Sequence, residues 1–441
     1  VKLVIRPKLP LCGRIVPPGD KSITHRAVLL GLVAGEAVRI TAPNPGADCA
    51  STLDCARALG ASVEIEAGAW TIRGGRLHEP ERVLDCGNSG TALRLLSGVV
   101  ASHPFECVLS GDASLNRRPV DRVVKPLREM GATLSGRDQD RLPPLVIRGG
   151  PLRAIHHRLG VASAQVASAI LFAALEARGT TEIEIPGPAR DHTERMLRAA
   201  GVAVEERPAG AGGRVVRLEG PASVRGGEIR VPGDLSAAAF FLAAAAACPG
   251  AEIVAEHVGL NPSRTGFLDA LEAMGAEVER LNPRDEMGEP VGDVRVRGPE
   301  RLRAFDVPAE WVPRMIDEAP AWAIVASAAS GTSRLSGAAE LRVKESDRIA
   351  LLARNLARLG VAAEERPDGI AIEGGAARGG EIEAADDHRI AMAFAVIGAR
   401  ANGPVTIDDG TNIATSYPGF VRDFAALGGR IESVEGGGEG R

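Results

Sequence analysis

The sequence predicts an α/β protein built from six similar units in two similar halves, and three observations predict it. A helix-end, glycine, strand-start pattern recurs along the chain. Each recurrence is accompanied by a second, nearly all-apolar helix with a small polar cluster at its start. Two Pro/Gly joints in distant parts of the chain share one local sequence.

The glycine pattern comes first in the argument. It reads Ala56-Arg57-Ala58-Leu59-Gly60-Ala61-Ser62-Val63, and returns as Leu127-Arg128-Glu129-Met130-Gly131-Ala132-Thr133-Leu134. Further copies centre on Gly201, Gly275, Gly360 and Gly428. Glycine adopts the left-handed conformation that closes a helix, so each copy reads as a helix C-cap running into a strand. Subtracting successive positions 60, 131, 201, 275, 360 and 428 gives 71, 70, 74, 85 and 68, a near-constant period that marks a repeat.

The second helix of each unit opens at Asp20-Lys21-Ser22, Asn88-Ser89-Gly90-Thr91, Ser163-Ala164-Gln165, Asp234-Leu235-Ser236, Asp317-Glu318 and Asp387-His388-Arg389. The bodies behind these openings, such as residues 27–34 and 390–399, are almost wholly apolar. A helix apolar on all sides is buried. Each unit is therefore expected to be a sheet with one surface helix and one internal helix.

The third observation sets the halves. Val16-Pro17-Pro18-Gly19-Asp20-Lys21-Ser22 is echoed by Val231-Pro232-Gly233-Asp234-Leu235-Ser236, and both lead into an apolar helix. Pro and Gly at such points mark chain turns. This gives a first domain over residues 21–231 and a second, discontinuous one over 1–20 and 232–441.

Composition narrows the function classes. The 441 residues carry a formal net charge of -5, so bulk positive charge for nucleic acid or a membrane surface is absent. Aromatic residues are only 3%, too few for base-stacking platforms. The longest apolar run, residues 237–248, is too short for a bilayer, which needs ~20 residues. The N-terminal Val1-Lys2-Leu3-Val4-Ile5 reads as a strand rather than a signal peptide. Six cysteines without CxxC spacing read as reduced, mostly buried thiols in a cytoplasmic protein.

An anion site must then be local. A helix start offers unpaired N–H groups and about half a positive charge. Here such starts lie near Lys21, Arg26 and Arg389, while Arg118, Lys344 and Arg348 supply further cations. Lys344 and Arg348 are four apart, on one face if the stretch is helical. A ligand meeting Lys21, Arg118, Lys344, Arg348 and Arg389 should carry several negative charges, as phosphate plus carboxylate does. Asp317 and Glu345 are the candidate acid–base groups. Gly19-Asp20-Lys21-Ser22 lacks the full P-loop spacing, and Asp191-His192 and Asp387-His388 lack further ligands at metal spacing. His192 reads as structural.

Eight segments stand out: Pro18-Gly19-Asp20-Lys21-Ser22-Ile23-Thr24-His25-Arg26, Gly87-Asn88-Ser89-Gly90-Thr91-Ala92-Leu93-Arg94, Arg117-Arg118-Pro119, Ser163-Ala164-Gln165, Arg190-Asp191-His192-Thr193-Glu194, Met315-Ile316-Asp317-Glu318, residues 341–348 and Asp387-His388-Arg389-Ile390-Ala391-Met392. Taken together, they are similar to those of the EPSP synthase (3-phosphoshikimate 1-carboxyvinyltransferase) family. The resemblance spans essentially the whole chain. It implies two domains of three βαβαββ units each, an inside-out α/β barrel-like arrangement with the active site in the interdomain cleft. It implies transfer of the enolpyruvyl group of phosphoenolpyruvate to the 5-hydroxyl of shikimate 3-phosphate, a step of the shikimate pathway toward chorismate and the aromatic amino acids. No metal or organic cofactor, no nucleic acid and no membrane is implied, and the enzyme is expected to be a cytoplasmic monomer and a glyphosate target.

By the same resemblance, Lys21 meets both substrates. Ser22, Arg26, Ser163, Ala164, Gln165, Asp317 and Lys344 hold shikimate 3-phosphate. Gly90, Arg118, Gln165, Arg348 and Arg389 hold phosphoenolpyruvate. Lys21, Asp317, Lys344 and Glu345 form the catalytic set, with Asp317 as base for the 5-hydroxyl and Glu345 as proton donor to the methylene carbon. Thr415 stands where one branch of the family has Lys, Leu95 where it has Pro, and residues 111–116 contain no Arg. These departures resemble the family's second class, in which Arg118 takes the anion role. The alternatives are a UDP-N-acetylglucosamine enolpyruvyl transferase, against which Lys21-Ser22 and the absence of Cys from residues 111–118 speak, and a non-catalytic binder of phosphorylated metabolites.

Overall fold

The computed structural model describes residues 1–210 and 212–434. The chain forms two compact units: a first of residues 19–232 with 285–289, and a second of 1–18, 233–284 and the chain from 290 onward. The sequence boundaries give residues 285–289 to the second domain. They group with the first unit, at the tip of the hairpin formed by strands Glu277–Glu286 and Glu289–Arg297.

Each unit holds three four-stranded sheets, and all six sheets have one topology. In the sheet around Gly90, strand Leu84–Asp85 runs parallel to Glu106–Ser110, which pairs antiparallel with Leu142–Arg148, which pairs antiparallel with Thr133–Gly136. The parallel pair is bridged by the inner helix Gly90–Val100, since parallel neighbours need a crossover. The surface helix Asp121–Met130 precedes the closing hairpin. This is a βαβαββ unit, six times over.

The glycines that carry the repeat sit where the sequence puts them. Gly60, Gly131, Gly201, Gly275, Gly360 and Gly428 all have positive φ, from +76° to +117°, the region that a Cβ penalises. Each is the turn between a surface helix and the strand that follows.

The two matched joints are crossing points that exchange strands. Strand Gly13–Ile15 precedes helix Lys21–Val33 in the chain, yet it pairs with Glu252–Gly259 of the second unit. Strand Gly227–Arg230 precedes helix Leu235–Ala246, yet it pairs with Val38–Thr41 of the first. The joints are fixed by matching backbone bonds, Asp20 N–H to the Pro232 carbonyl at 2.7 Å and Asp234 N–H to the Pro18 carbonyl at 2.8 Å.

Each unit has its own hydrophobic core, built on its three inner helices. Every residue of helix Leu235–Ala246 is buried. Small side chains let backbones approach closely: a Cβ on Gly98 would lie 2.1 Å from the Ala169 carbonyl oxygen of the neighbouring inner helix. Five of the six cysteines are buried and Cys12 is exposed. Among the described residues no helix is long and apolar enough to cross a membrane.

Candidate active site

The inner helices of the first unit begin at Lys21, Gly90 and Ala164. Their first N–H groups are partly taken up by caps. Asp20 Oδ1 accepts from Ile23 N at 2.9 Å, Ser89 Oγ from Ala92 N at 3.1 Å and Ser163 Oγ from Val166 N at 3.4 Å. Charge at these starts therefore comes mainly from side chains.

Three side-chain links join the three starts. His25 Nε2 lies 3.4 Å from Ser89 Oγ, tying the first start to the second. Arg94 Nη1 donates to Gln165 Oε1 at 2.7 Å, tying the second to the third. Arg26 Nη2 donates to Ser168 Oγ at 2.9 Å, tying the first to the third. Burial, together with the Lys21 and Arg26 charges, holds the His25 imidazole well below the usual histidine range, so it serves as a neutral spacer.

Arg118, Gly90 and Gln165 are brought together around Arg94. Gln165 Nε2 donates to Thr91 Oγ1 at 2.9 Å, and Arg94 Nη2 donates to the Pro119 carbonyl at 3.0 Å. Arg118 donates to the Asn88 carbonyl at 3.1 Å, to Asn88 Oδ1 at 2.6 Å and to Ser114 Oγ at 3.2 Å. A Cβ on Gly90 would meet Arg94 Nη1 at 2.8 Å and Arg118 Nη1 at 3.7 Å, so both guanidinium groups lie over this helix start. Lys21 Nζ is 3.0 Å from Asp48 Oδ2, and Ser22 is half-buried beside it. Arg26 is only 3% exposed. Its Nε donates to Thr193 Oγ1 at 2.7 Å and its Nη1 to the Ser22 carbonyl at 2.9 Å, so three of its five N–H groups, with the bond to Ser168, serve the protein. Burial lowers its pKa to about 10 in spite of Glu194 and Asp20, and it stays charged.

In the second unit the inner helices begin at Leu235, Ala319 and His388. Asp234 and Asp387 cap the first and third, through Ser236 N at 2.8 Å and Arg389 N at 3.0 Å. The second start, after the turn Ile316–Glu318, has no side-chain cap. Ser236 Oγ donates to the buried Glu318 carboxylate, and Arg389 Nη1 donates to the Asp317 carbonyl at 3.0 Å. These starts too are joined by side chains.

Asp317, Lys344, Glu345, Arg348 and Arg389 converge. Asp317 Oδ1 is 3.5 Å from Lys344 Nζ and 3.9 Å from Arg348 Nη1. Arg348 Nη2 donates to Glu345 Oε2 at 2.6 Å, and its Nε to Asp387 Oδ2 at 2.8 Å. Burial works against the charge on Arg348, but Asp387 and Glu345 outweigh it and raise its pKa. Burial also works against ionising Asp387, and the Arg348 charge overcomes that to hold the carboxyl below its usual range. The stretch from Lys344 to Arg348 is not one helix. A 3-10 turn ends at Val343, residues 344–346 bend, and helix Arg348–Arg358 starts under the Asp347 cap, which accepts from Ala350 N at 3.0 Å. Lys344 and Arg348 meet at Asp317 through this bend rather than through helical spacing. Thr415 donates to the Asn412 carbonyl at 2.7 Å.

Among the described residues no group of three or more His, Cys, Asp or Glu side chains is arranged to hold a metal ion. The family profile described as EPSP synthase (3-phosphoshikimate 1-carboxyvinyltransferase) matches residues 5–424. The chain belongs to the EPSP synthase family. The 3-phosphoshikimate 1-carboxyvinyltransferase of Anaeromyxobacter sp. (strain K) is 50% identical over 419 residues, 94% of this chain and 93% of that one. Its counterpart from Acidiphilium cryptum is 49% identical over 435 residues, 97% of each chain. A solved structure of EPSP synthase from Acinetobacter baumannii superposes with a TM-score of 0.87 at 42% identity, covering 98% of this chain and all of that one.

Within this EPSP synthase fold, sequence reasoning left several partners unassigned. Arg94 lies four residues after Gly90, on the same helix face, and that spacing was the available signal. Asp387 stands in the sequence as a helix opening, and Asp48 carries no local signal. Both depend on distant chain segments meeting.

Proposed function

We infer that this chain transfers the enolpyruvyl group of phosphoenolpyruvate to the 5-hydroxyl of shikimate 3-phosphate, releasing phosphate. Membership of the family along nearly the whole chain supports the reaction. The observation that carries the chemistry is the grouping of Asp317, Lys344, Glu345 and Arg348 at one point. Addition across the enol double bond needs a base at the attacking oxygen and an acid at the methylene carbon. Asp317 takes the 5-hydroxyl proton, Lys344 binds the substrate hydroxyls and assists that transfer, and Glu345, oriented by Arg348, protonates the carbon. Return of that proton and loss of phosphate complete the exchange.

The remaining assignments follow the same reading. Lys21 meets both substrates. Ser22, Arg26, Ser163, Ala164 and Gln165 hold shikimate 3-phosphate with Asp317 and Lys344. Gly90, Arg118, Gln165, Arg348 and Arg389 hold phosphoenolpyruvate, their fixed donors matching the charges of the tetrahedral intermediate. Each compact unit is one three-repeat enolpyruvyl-transferase domain, and neither carries the whole residue set. The enzyme acts as a cytoplasmic monomer, a state that sedimentation of the purified protein tests.

Phosphate release from phosphoenolpyruvate is expected only when shikimate 3-phosphate is supplied. Release with UDP-N-acetylglucosamine instead, or with neither acceptor, would overturn the reading.

A further inference from the structure

Residues 285–289, at the tip of a long hairpin, belong to the first unit, and the last of them is buried in it. Met287 packs on the first unit's core and Glu289 is only 2% exposed. Glu289 Oε1 lies 2.7 Å from His192 Nδ1, and the Gly288 carbonyl accepts from Arg195 Nη1 at 2.8 Å. Both partners fall in the first turn of helix His192–Ala199. His192 is 2% exposed and its Nε2 is buried without a hydrogen-bond partner, so the bond to Glu289 sets the orientation of the ring.

The next residue, Thr193, faces Arg26. Its hydroxyl accepts from Arg26 Nε at 2.7 Å and shares a 2.6 Å bond with Ser168. The Glu289 charge also acts directly on Arg26, favouring its charged form. A chain of buried polar contacts thus runs from the hairpin tip through the helix start to the Arg26 guanidinium.

We propose that Glu289, acting through His192, is a positioning residue: it fixes the helix start that carries Thr193 and so aims Arg26 at shikimate 3-phosphate. The proposal rests on the reading that Arg26 holds that substrate. Glu289 itself touches no reacting atom. Its effect should therefore appear in the affinity for one substrate and leave the chemical step alone.

Steady-state kinetics of Glu289→Ala should show KM for shikimate 3-phosphate raised about 5-fold or more, with kcat and KM for phosphoenolpyruvate within about 2-fold of the parent. Glu289→Gln keeps the acceptor for His192 and should restore KM to within about 2-fold of the parent. Should Glu289→Ala fail to fold, His192→Ala carries the same expectation. An unchanged KM in the variant that folds, or a fall in kcat with KM unchanged as a merely structural role would give, overturns the proposal. Arg26→Ala separates the two readings. If it raises KM and Glu289→Ala does not, the positioning role fails alone. If Arg26→Ala leaves KM unchanged, the Arg26 assignment has failed and the proposal falls with it.

Discussion

Replacing Asp317 by Asn removes the proposed base while sparing the scaffold around it. The bond that anchors this helix start to Arg389 uses the Asp317 backbone carbonyl, at 3.0 Å, and survives the change. The side chain loses its charge beside Lys344 at 3.5 Å and Arg348 at 3.9 Å. Removing one partner of a buried pair usually costs about 3–5 kcal/mol, because a charge is left uncompensated. Here Arg348 keeps Asp387 and Glu345, and Lys344 is 29% exposed, so a loss nearer ~1 kcal/mol is expected. The catalytic loss is far larger, since a positioned general base contributes about 10²–10⁴-fold. We expect kcat for phosphate release to fall by about that factor, while the dissociation constant of shikimate 3-phosphate, measured calorimetrically, changes by about 3-fold or less. A variant that folds normally but loses binding more than about 10-fold would make Asp317 a ligand contact first, and one that keeps most of its turnover would remove it from the chemistry.

Three further outcomes follow from the same geometry. Gly90→Ala places a methyl 2.8 Å from a movable Arg94 nitrogen and 3.7 Å from Arg118, so on the proposed reading it should crowd the anion site and raise KM for phosphoenolpyruvate more than KM for shikimate 3-phosphate; equal shifts in both constants would count against this. Gly98→Ala sets a methyl 2.1 Å from the rigid Ala169 carbonyl and should destabilise the first unit by about 3 kcal/mol or more in denaturant unfolding; a loss below ~1 kcal/mol would show that the two inner helices can part. His25 has a folded pKa held below its unfolded value, so the unfolded chain binds more protons as pH falls through about 6.5; stability should drop below that pH by up to ~1.4 kcal/mol per pH unit, and His25→Gln should remove this component of the acid slope.

The repeat was legible because its signals are local. A glycine at a helix C-cap and an apolar run at helical length need no knowledge of distant chain, and all six glycines have the expected backbone sign. The crossing joints were legible for the same reason, as paired Pro/Gly segments. The joints also separate strand Gly13–Ile15 from helix Lys21–Val33, but they do not show which strand each displaced strand pairs with, Glu252–Gly259 for the one and Val38–Thr41 for Gly227–Arg230. Residues 344–348 do not meet the condition of being one helix, and local spacing cannot show that Arg348 pairs with Asp387, 39 residues away. In the sequence Arg26 is simply a cation near the first helix start. Only the fold shows Thr193 and Ser168 against it. Cations were thus easy to find, and how much of each is already spent on the protein was not.

That distinction bears on the proposal that Asp317 acts as the base. Six inner helices need their first N–H groups satisfied, and at five of them the opening Asp or Ser does this: Asp20, Ser89, Ser163, Asp234 and Asp387. A carboxylate that accepts from its own helix is stabilised as an anion and turned back toward the backbone, a poor arrangement for taking a proton from a substrate. Among the described residues, the inner helix at Ala319 alone has no side-chain cap, and it is entered through a 3-10 turn instead. The residue at its capping position is Glu318, whose carboxylate accepts from the Ser236 hydroxyl instead, and the acid before it, Asp317, faces Lys344 and Arg348. The helix gives up a cap worth about 1 kcal/mol, and Pro320 near its start, which has no N–H to satisfy, reduces even that loss. Among the described residues, the one inner helix start without a side-chain cap is thus also the one whose entering turn presents a carboxylate, that of Asp317, to Lys344 and Arg348.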